Sequence, residues 1–339
     1  MTHEHALKSL RMALLVCFVG AVTLIDQVWV GSLTVYSDAR IQAREASHEA
    51  VLHNRLPPGV SSWGAMGANG TNVRILTVWT VEGLHRLSGV SVDKCYRLVE
   101  TVSLFLFLLA LWLYLRHWFE PTLAMLGLAS VAAILPLTYF FHFYQPWDKP
   151  SWLAWVLLLI LLRSGQLVVF ALLLAVSVTI KYDTVLLPAL YFLAAGSRGR
   201  ILRSMLVAAS LFVASFGTYY LLRVLIPGGF ATRSAVAFAQ SNLSALSYWN
   251  LRYPPLLALG IPGVLGAVGW SAVDRFIRAC YIFGLLLLPV FFLQTNFIEV
   301  RALIPVLVLL LPAALAGFRR LSGGAGDDVS AGDGSRGGS

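Results

Sequence analysis

Apolar residues run through this chain in long blocks separated by short polar turns, a pattern with neither the alternation of strands nor the one-sided stripe of soluble helices. The first block covers about residues 12–35. Further blocks run from Tyr96 to Leu115, Pro121 to Phe141, Ser151 to Leu162, Leu167 to Ile180, Thr184 to Ala195, Met205 to Ile226, Tyr253 to Ala272 and Phe276 to Gln294, with a last one at about 302–317. A bilayer is crossed by roughly 20 apolar residues in a helix. The pattern therefore predicts an all-α polytopic membrane protein of about ten transmembrane helices. The blocks between Ser151 and Ala195 are short for a crossing, which predicts tilted, broken or re-entrant segments.

One long polar stretch interrupts the pattern, from Tyr36 to Arg97. Within it residues 38–53 read as a polar helix, and Val73 to Leu87 mixes apolar residues with Arg74, Glu82, His85 and Arg86, which predicts an amphipathic helix lying at the interface. A second polar loop is expected at about 227–252. Residues 1–321 then form one transmembrane domain whose first loop, 37–95, carries interfacial helices, and the Gly/Ser/Asp-rich tail 322–339 is expected to be disordered.

Composition agrees with the pattern. The 339 residues are 58% hydrophobic and 12% charged, about half the charge of a soluble domain, and mean hydropathy is +0.77. Basic residues at Lys8 and Arg11, 116, 198–203, 275–278 and 319–320 put those turns and both termini in the cytoplasm and the long loop outside. The net charge of +9 is spread between blocks without a nucleic-acid-binding motif, which excludes nucleic acid as a partner. Cys17, Cys95 and Cys280 have no zinc spacing. His48 and His53 lie five residues apart and His142 is remote, so no metal site is predicted, although a divalent ion gathered by carboxylates in three dimensions stays open.

The polar residues expected outside form a one-sided set. Asp38, Arg74, Asp148, Lys181, Asp183, Glu299 and Arg301 combine acids suited to proton abstraction with cations suited to phosphate. Each also has a structural explanation: Asp38 as a helix cap, Arg74 as a headgroup anchor, Asp148 as a cap, and Lys181/Asp183 and Glu299/Arg301 as local ion pairs. Asp26, inside the first block, is either a polar contact near the interface or part of the site.

Four places resemble the GT-C superfamily of polytopic glycosyltransferases. They are Tyr36-Ser37-Asp38 after the first block, Val73-Arg74-Ile75-Leu76 opening the interfacial helix, Tyr144-Gln145-Pro146-Trp147-Asp148 with Lys181-Tyr182-Asp183-Thr184 and Pro188, and Glu299-Val300-Arg301 with Pro305. Many relatives have a proline soon after the second motif, where this chain has Thr77. The resemblance implies an integral protein of the bacterial inner membrane that takes a sugar from a polyprenyl-phosphate donor and passes it to a glycan or lipid acceptor at the outer face. Asp38 is then the catalytic base, and Arg74, Asp148, Lys181, Asp183, Glu299 and Arg301 bind substrate. The alternatives are a flippase for lipid-linked saccharides, a small-molecule transporter, and a subunit that keeps this architecture without activity.

Overall fold

A computed structural model describes residues 3–32, 38–55, 74–139, 145–196, 201–226 and 234–323. Their regular structure is entirely helical, with no strand among the described residues. Among the described residues seven helical segments are long and apolar enough to cross a membrane: Ser9–Gly31, Val92–Leu115, Pro121–Tyr139, Ile201–Leu225, Asn250–Ala272, Arg275–Gln294 and Val300–Leu321. The protein is thus an α-helical polytopic membrane protein. The helices are α1 (His3–Gly31), α2 (Asp38–His53), α3 (Ile75–Ser88), α4 (Val92–Leu115), α5 (Pro121–Ile134), α6 (Asp148–Arg163), α7 (Leu167–Val178), α8 (Leu187–Ala195), α9 (Ile201–Leu225), α10 (Ala235–Ser247), α11 (Trp249–Pro255), α12 (Ile261–Gly269), α13 (Arg275–Gln294) and α14 (Val300–Leu321).

Helix α14 is the axis of the bundle. Its apolar stretch is wholly buried, as expected of a helix that is hydrophobic all round. It packs on α12, α13, α6 and α5. Contact with α12 is backbone to backbone: a Cβ on Gly317 would collide with the Leu265 carbonyl, and one on Gly269 with the Ala313 carbonyl. Small residues at such a crossing allow the close approach that dispersion needs where lipid supplies no hydrophobic drive. Helix α9 is the opposite case, with only 11% of its apolar window buried by protein.

The short blocks are short helices. α6, α7 and α8 have 16, 12 and 9 residues. A 3-10 turn, Tyr182–Leu186, leads into α8, and Pro188 occupies its first turn, where a missing N–H costs nothing. Pro254 and Pro255 precede a π-helical turn at Leu256–Gly260, because proline removes backbone donors and shifts the hydrogen-bond register. The first crossing ends at Gly31, earlier than residue 35, with the Ser32 hydroxyl donating to the Trp29 carbonyl at 2.6 Å.

The loop expected at 227–252 is largely helix. α10 is capped by Ser234, whose side chain accepts the Ala237 N–H, and it docks through Asn242. The Asn242 amide donates to the carbonyls of Phe292 and Thr295 at 2.7 and 2.8 Å and accepts the Phe297 N–H at 2.9 Å. Asn242-Leu243-Ser244 reads in the sequence as a glycosylation sequon, but this buried asparagine is a structural fastener.

Helices α2, α3 and α4 are joined by a separate polar clamp. Buried His48 lies between the Tyr96 hydroxyl (2.9 Å) and Glu82 (3.2 Å), Glu82 also pairs with Arg86, and Arg44 reaches Asp93 at 2.5 Å. The Arg86 and His48 hydrogen bonds hold the Glu82 carboxyl below its ordinary pKa. α3 closes on Gly89, whose φ of 68° suits the left-handed cap.

Candidate functional site

At one end of the bundle four segments converge: Arg74 ahead of α3, residues 145–149 at the head of α6, residues 181–183 after α7, and residues 299–301 at the head of α14. The Leu76 N–H donates to the Thr179 carbonyl at 3.2 Å, which ties the start of α3 to the turn that carries Lys181. The Trp152 indole donates to the Arg301 carbonyl at 3.1 Å and fixes α6 against α14.

Asp148 is the hub. Its Oδ1 accepts from Lys181 at 3.1 Å and its Oδ2 from Arg301 at 2.7 Å. Lys181 also lies 3.5 Å from Asp183, and Arg301 also pairs with Glu299. Asn296 donates to the other Glu299 oxygen at 2.6 Å. All these groups are buried or nearly so. Burial disfavours the Lys181 charge, and Asp148 and Asp183 more than offset it, so its pKa stands above the ordinary lysine value. Alongside, Lys149 and Asp26 form a buried pair at 2.6 Å, so the acid inside the first block is a contact between α1 and α6.

Arg74 is held differently. Its guanidinium donates to Gln145 Oε1 at 3.0 Å and lies 4.7 Å from the Trp147 ring centre and 5.9 Å from that of Tyr182. It forms no ion pair among the described residues, and its buried Nε has no hydrogen-bond partner there. Burial lowers its pKa.

These side chains border a partly open cavity of about 460 Å³. Arg74, Lys181, Asp183, Glu299 and Arg301 form its polar wall. Phe212, Phe216 and Tyr219 of α9, Phe238 of α10 and Phe291 of α13 form its apolar wall. Five of the seven site residues expected from sequence thus share one cavity. Asp148 stands behind the polar wall and orients Lys181 and Arg301. α2 begins at Asp38, but the Asp38 side chain lies outside the described residues, as do His142 and the tail from residue 324. No group of three or more His, Cys, Asp or Glu residues able to hold a metal occurs among the described residues.

The aromatic wall and Arg223 escaped sequence reasoning. Arg223 closes the last turn of α9, where an arginine ending an apolar run reads as a headgroup anchor. The available signal was its spacing: Phe212, Phe216, Tyr219 and Arg223 fall on one helical face.

The arrangement can accept an amphiphilic anion, with its charge on the polar wall and its apolar part against α9. No family model, no curated protein and no solved structure matches this chain.

Proposed function

We propose that the protein is a membrane glycosyltransferase that moves a sugar from a polyprenyl-phosphate donor to a glycan or lipid acceptor, at the outer face of a bacterial inner membrane crossed about ten times with both termini cytoplasmic. The observation that carries this reading is the two-sided cavity. One wall brings Arg74, Lys181 and Arg301 together, and the other is aromatic and comes mainly from α9, whose apolar window is only 11% buried by protein. A polyprenyl phosphosugar has the same division, a phosphodiester between a polar sugar and a hydrocarbon chain.

Charge supports it. Among the described residues Lys181 and Arg301 are shared among Asp148, Asp183 and Glu299, whereas Arg74 on the cavity wall has no carboxylate partner. A phosphodiester carries one negative charge. Buried cations without partners are costly, and an anionic ligand removes that cost.

In the proposed reaction Asp38 takes the proton of the acceptor hydroxyl. The hydroxyl oxygen bonds to the anomeric carbon while the bond from that carbon to the phosphate oxygen breaks, inverting the centre. The lipid phosphate leaves with its charge balanced by Arg74, Arg301 or Lys181. Lys181 and Arg301 are pre-oriented by Asp148, so little reorganisation accompanies the charge shift. A reconstituted transfer assay with Asp38→Asn tests the base. The expected loss is about 10²-fold or more, and full transfer by the variant removes Asp38 from that role.

A further inference from the structure

Arg223 is a guanidinium inside an apolar helix, 2% exposed, with no ion pair among the described residues and with its buried Nε unpartnered. A charge in such a place is expensive unless it serves a ligand. Its surroundings are aromatic: the Tyr219 ring centre lies 5.0 Å away and that of Tyr182 5.8 Å. The Tyr182 ring is also approached by Arg74, at 5.9 Å. Two buried guanidiniums without carboxylate partners among the described residues therefore share one ring that borders the cavity, Arg74 on the cavity wall and Arg223 behind Tyr182 and Tyr219. Two like charges buried around one tyrosine repel each other on top of their separate desolvation costs, and an anion close to them relieves both.

The same face of α9 continues as Tyr219, Phe216 and Phe212. Phe212 and Phe216 stack with centroids 5.4 Å apart. Each is 43% exposed and each also lines the cavity, so the cavity wall runs onto the apolar outer surface of the bundle there. The stripe thus leads from apolar surface to a buried cation.

We infer that Arg223 is a second anion-stabilising residue, paired with Arg74 across Tyr182, and that the α9 stripe seats the apolar chain of the same ligand. The ligand is a lipid monophosphate whose phosphate oxygens accept from Arg74, whose charge Arg223 stabilises from behind Tyr182, and whose first chain carbons lie on Phe216 and Phe212. This rests on the lipid-phosphate part of the proposed function and is independent of sugar transfer. Lys181 and Arg301, already shared among carboxylates, then stabilise the leaving oxygen, while Arg74, backed by Arg223, holds the phosphate before and after the step.

Equilibrium binding to the full-length protein in nanodiscs tests it, with undecaprenyl monophosphate, undecaprenol and inorganic phosphate as probes. Arg223→Gln is expected to weaken both phosphate probes by about tenfold or more, and Arg223→Lys to recover part of the loss. Phe216→Ala, at a position 43% exposed, is expected to weaken the lipid monophosphate and leave inorganic phosphate unchanged. If Arg223→Gln binds undecaprenyl monophosphate as wild type does, the role of Arg223 is overturned while the lipid-phosphate reading stands. If wild type prefers undecaprenyl monophosphate no more than undecaprenol, that reading and this inference fall together. If inorganic phosphate depends on Arg223 but the lipid is insensitive to Phe216→Ala, the α9 seat is overturned.

Discussion

The two ends of the bundle use acids in different ways. At the second end Asp274 caps α13 by accepting the Ile277 N–H at 2.8 Å, takes the Trp118 indole N–H at 2.8 Å, and meets Arg163 at 3.4 Å. Both charged partners are more than a third exposed, and Trp118 stacks on Phe276 in a local aromatic patch. Every contact there closes a helix end or joins two helices. At the cavity end Asp148 caps nothing. It is buried and shared by two cations, and two further arginines nearby have no carboxylate partner among the described residues. Structural charge in a membrane protein is placed where water can screen it or where pairs are complete. Buried cations without carboxylate partners among the described residues are what the proposed anionic ligand would neutralise.

This contrast ranks the expected effects of mutation. Asp148→Ala leaves Lys181 and Arg301 short of their common acceptor and is expected to destabilise by about 3–5 kcal/mol, measured by detergent-based unfolding; a value near zero would mean that the network is not held by Asp148. At the second end the vulnerability is packing. Gly317→Ala drives a methyl into the Leu265 carbonyl and is expected to cost about 1–3 kcal/mol by the same measurement.

The α2–α3–α4 clamp lies between these cases and is read by pH. The folded pKa of Glu82 is depressed, so its contribution is present at neutral pH, above the unfolded value of about 4.3, and is lost as pH falls through the lower folded value. Hydrogen exchange of α2 is expected to accelerate in that acid range for wild type and to show a smaller acid dependence in Glu82→Gln. The smallest effect belongs to Asp274→Asn, expected within about 1 kcal/mol, because asparagine also caps a helix and the pair with Arg163 is screened.

Much of this was legible in the chain. Block lengths gave the helical membrane class, and the order of charged turns brought Arg74, Lys181, Asp183, Glu299 and Arg301 to one cavity. Apolar pattern fixes which segments cross, and polar turns must then collect at the ends of the crossings. Other features were hidden because they depend on contacts between distant segments. Asn242 looked like a glycosylation sequon, and only its carbonyl partners at 292 and 295 make it a fastener. Lys149 and Asp26 are 123 residues apart in sequence, with nothing local to pair them. Arg223 drew no reading from the sequence, because nothing local places the rings of Tyr182 and Tyr219 against it. The π-turn at Leu256–Gly260 was signalled by its prolines only as an interruption, without its form.

The proposed reaction turns over a lipid-linked phosphosugar at the cavity end. Its most direct test is release of polyprenyl phosphate from a labelled polyprenyl phosphosugar by the full-length protein in proteoliposomes, with acceptor present. The account predicts release by wild type and by Asp274→Asn, and a loss of about 10²-fold or more for folded Arg74→Gln. Movement of the labelled lipid between leaflets with its phosphosugar bond intact, or release that is indifferent to Arg74, would contradict it.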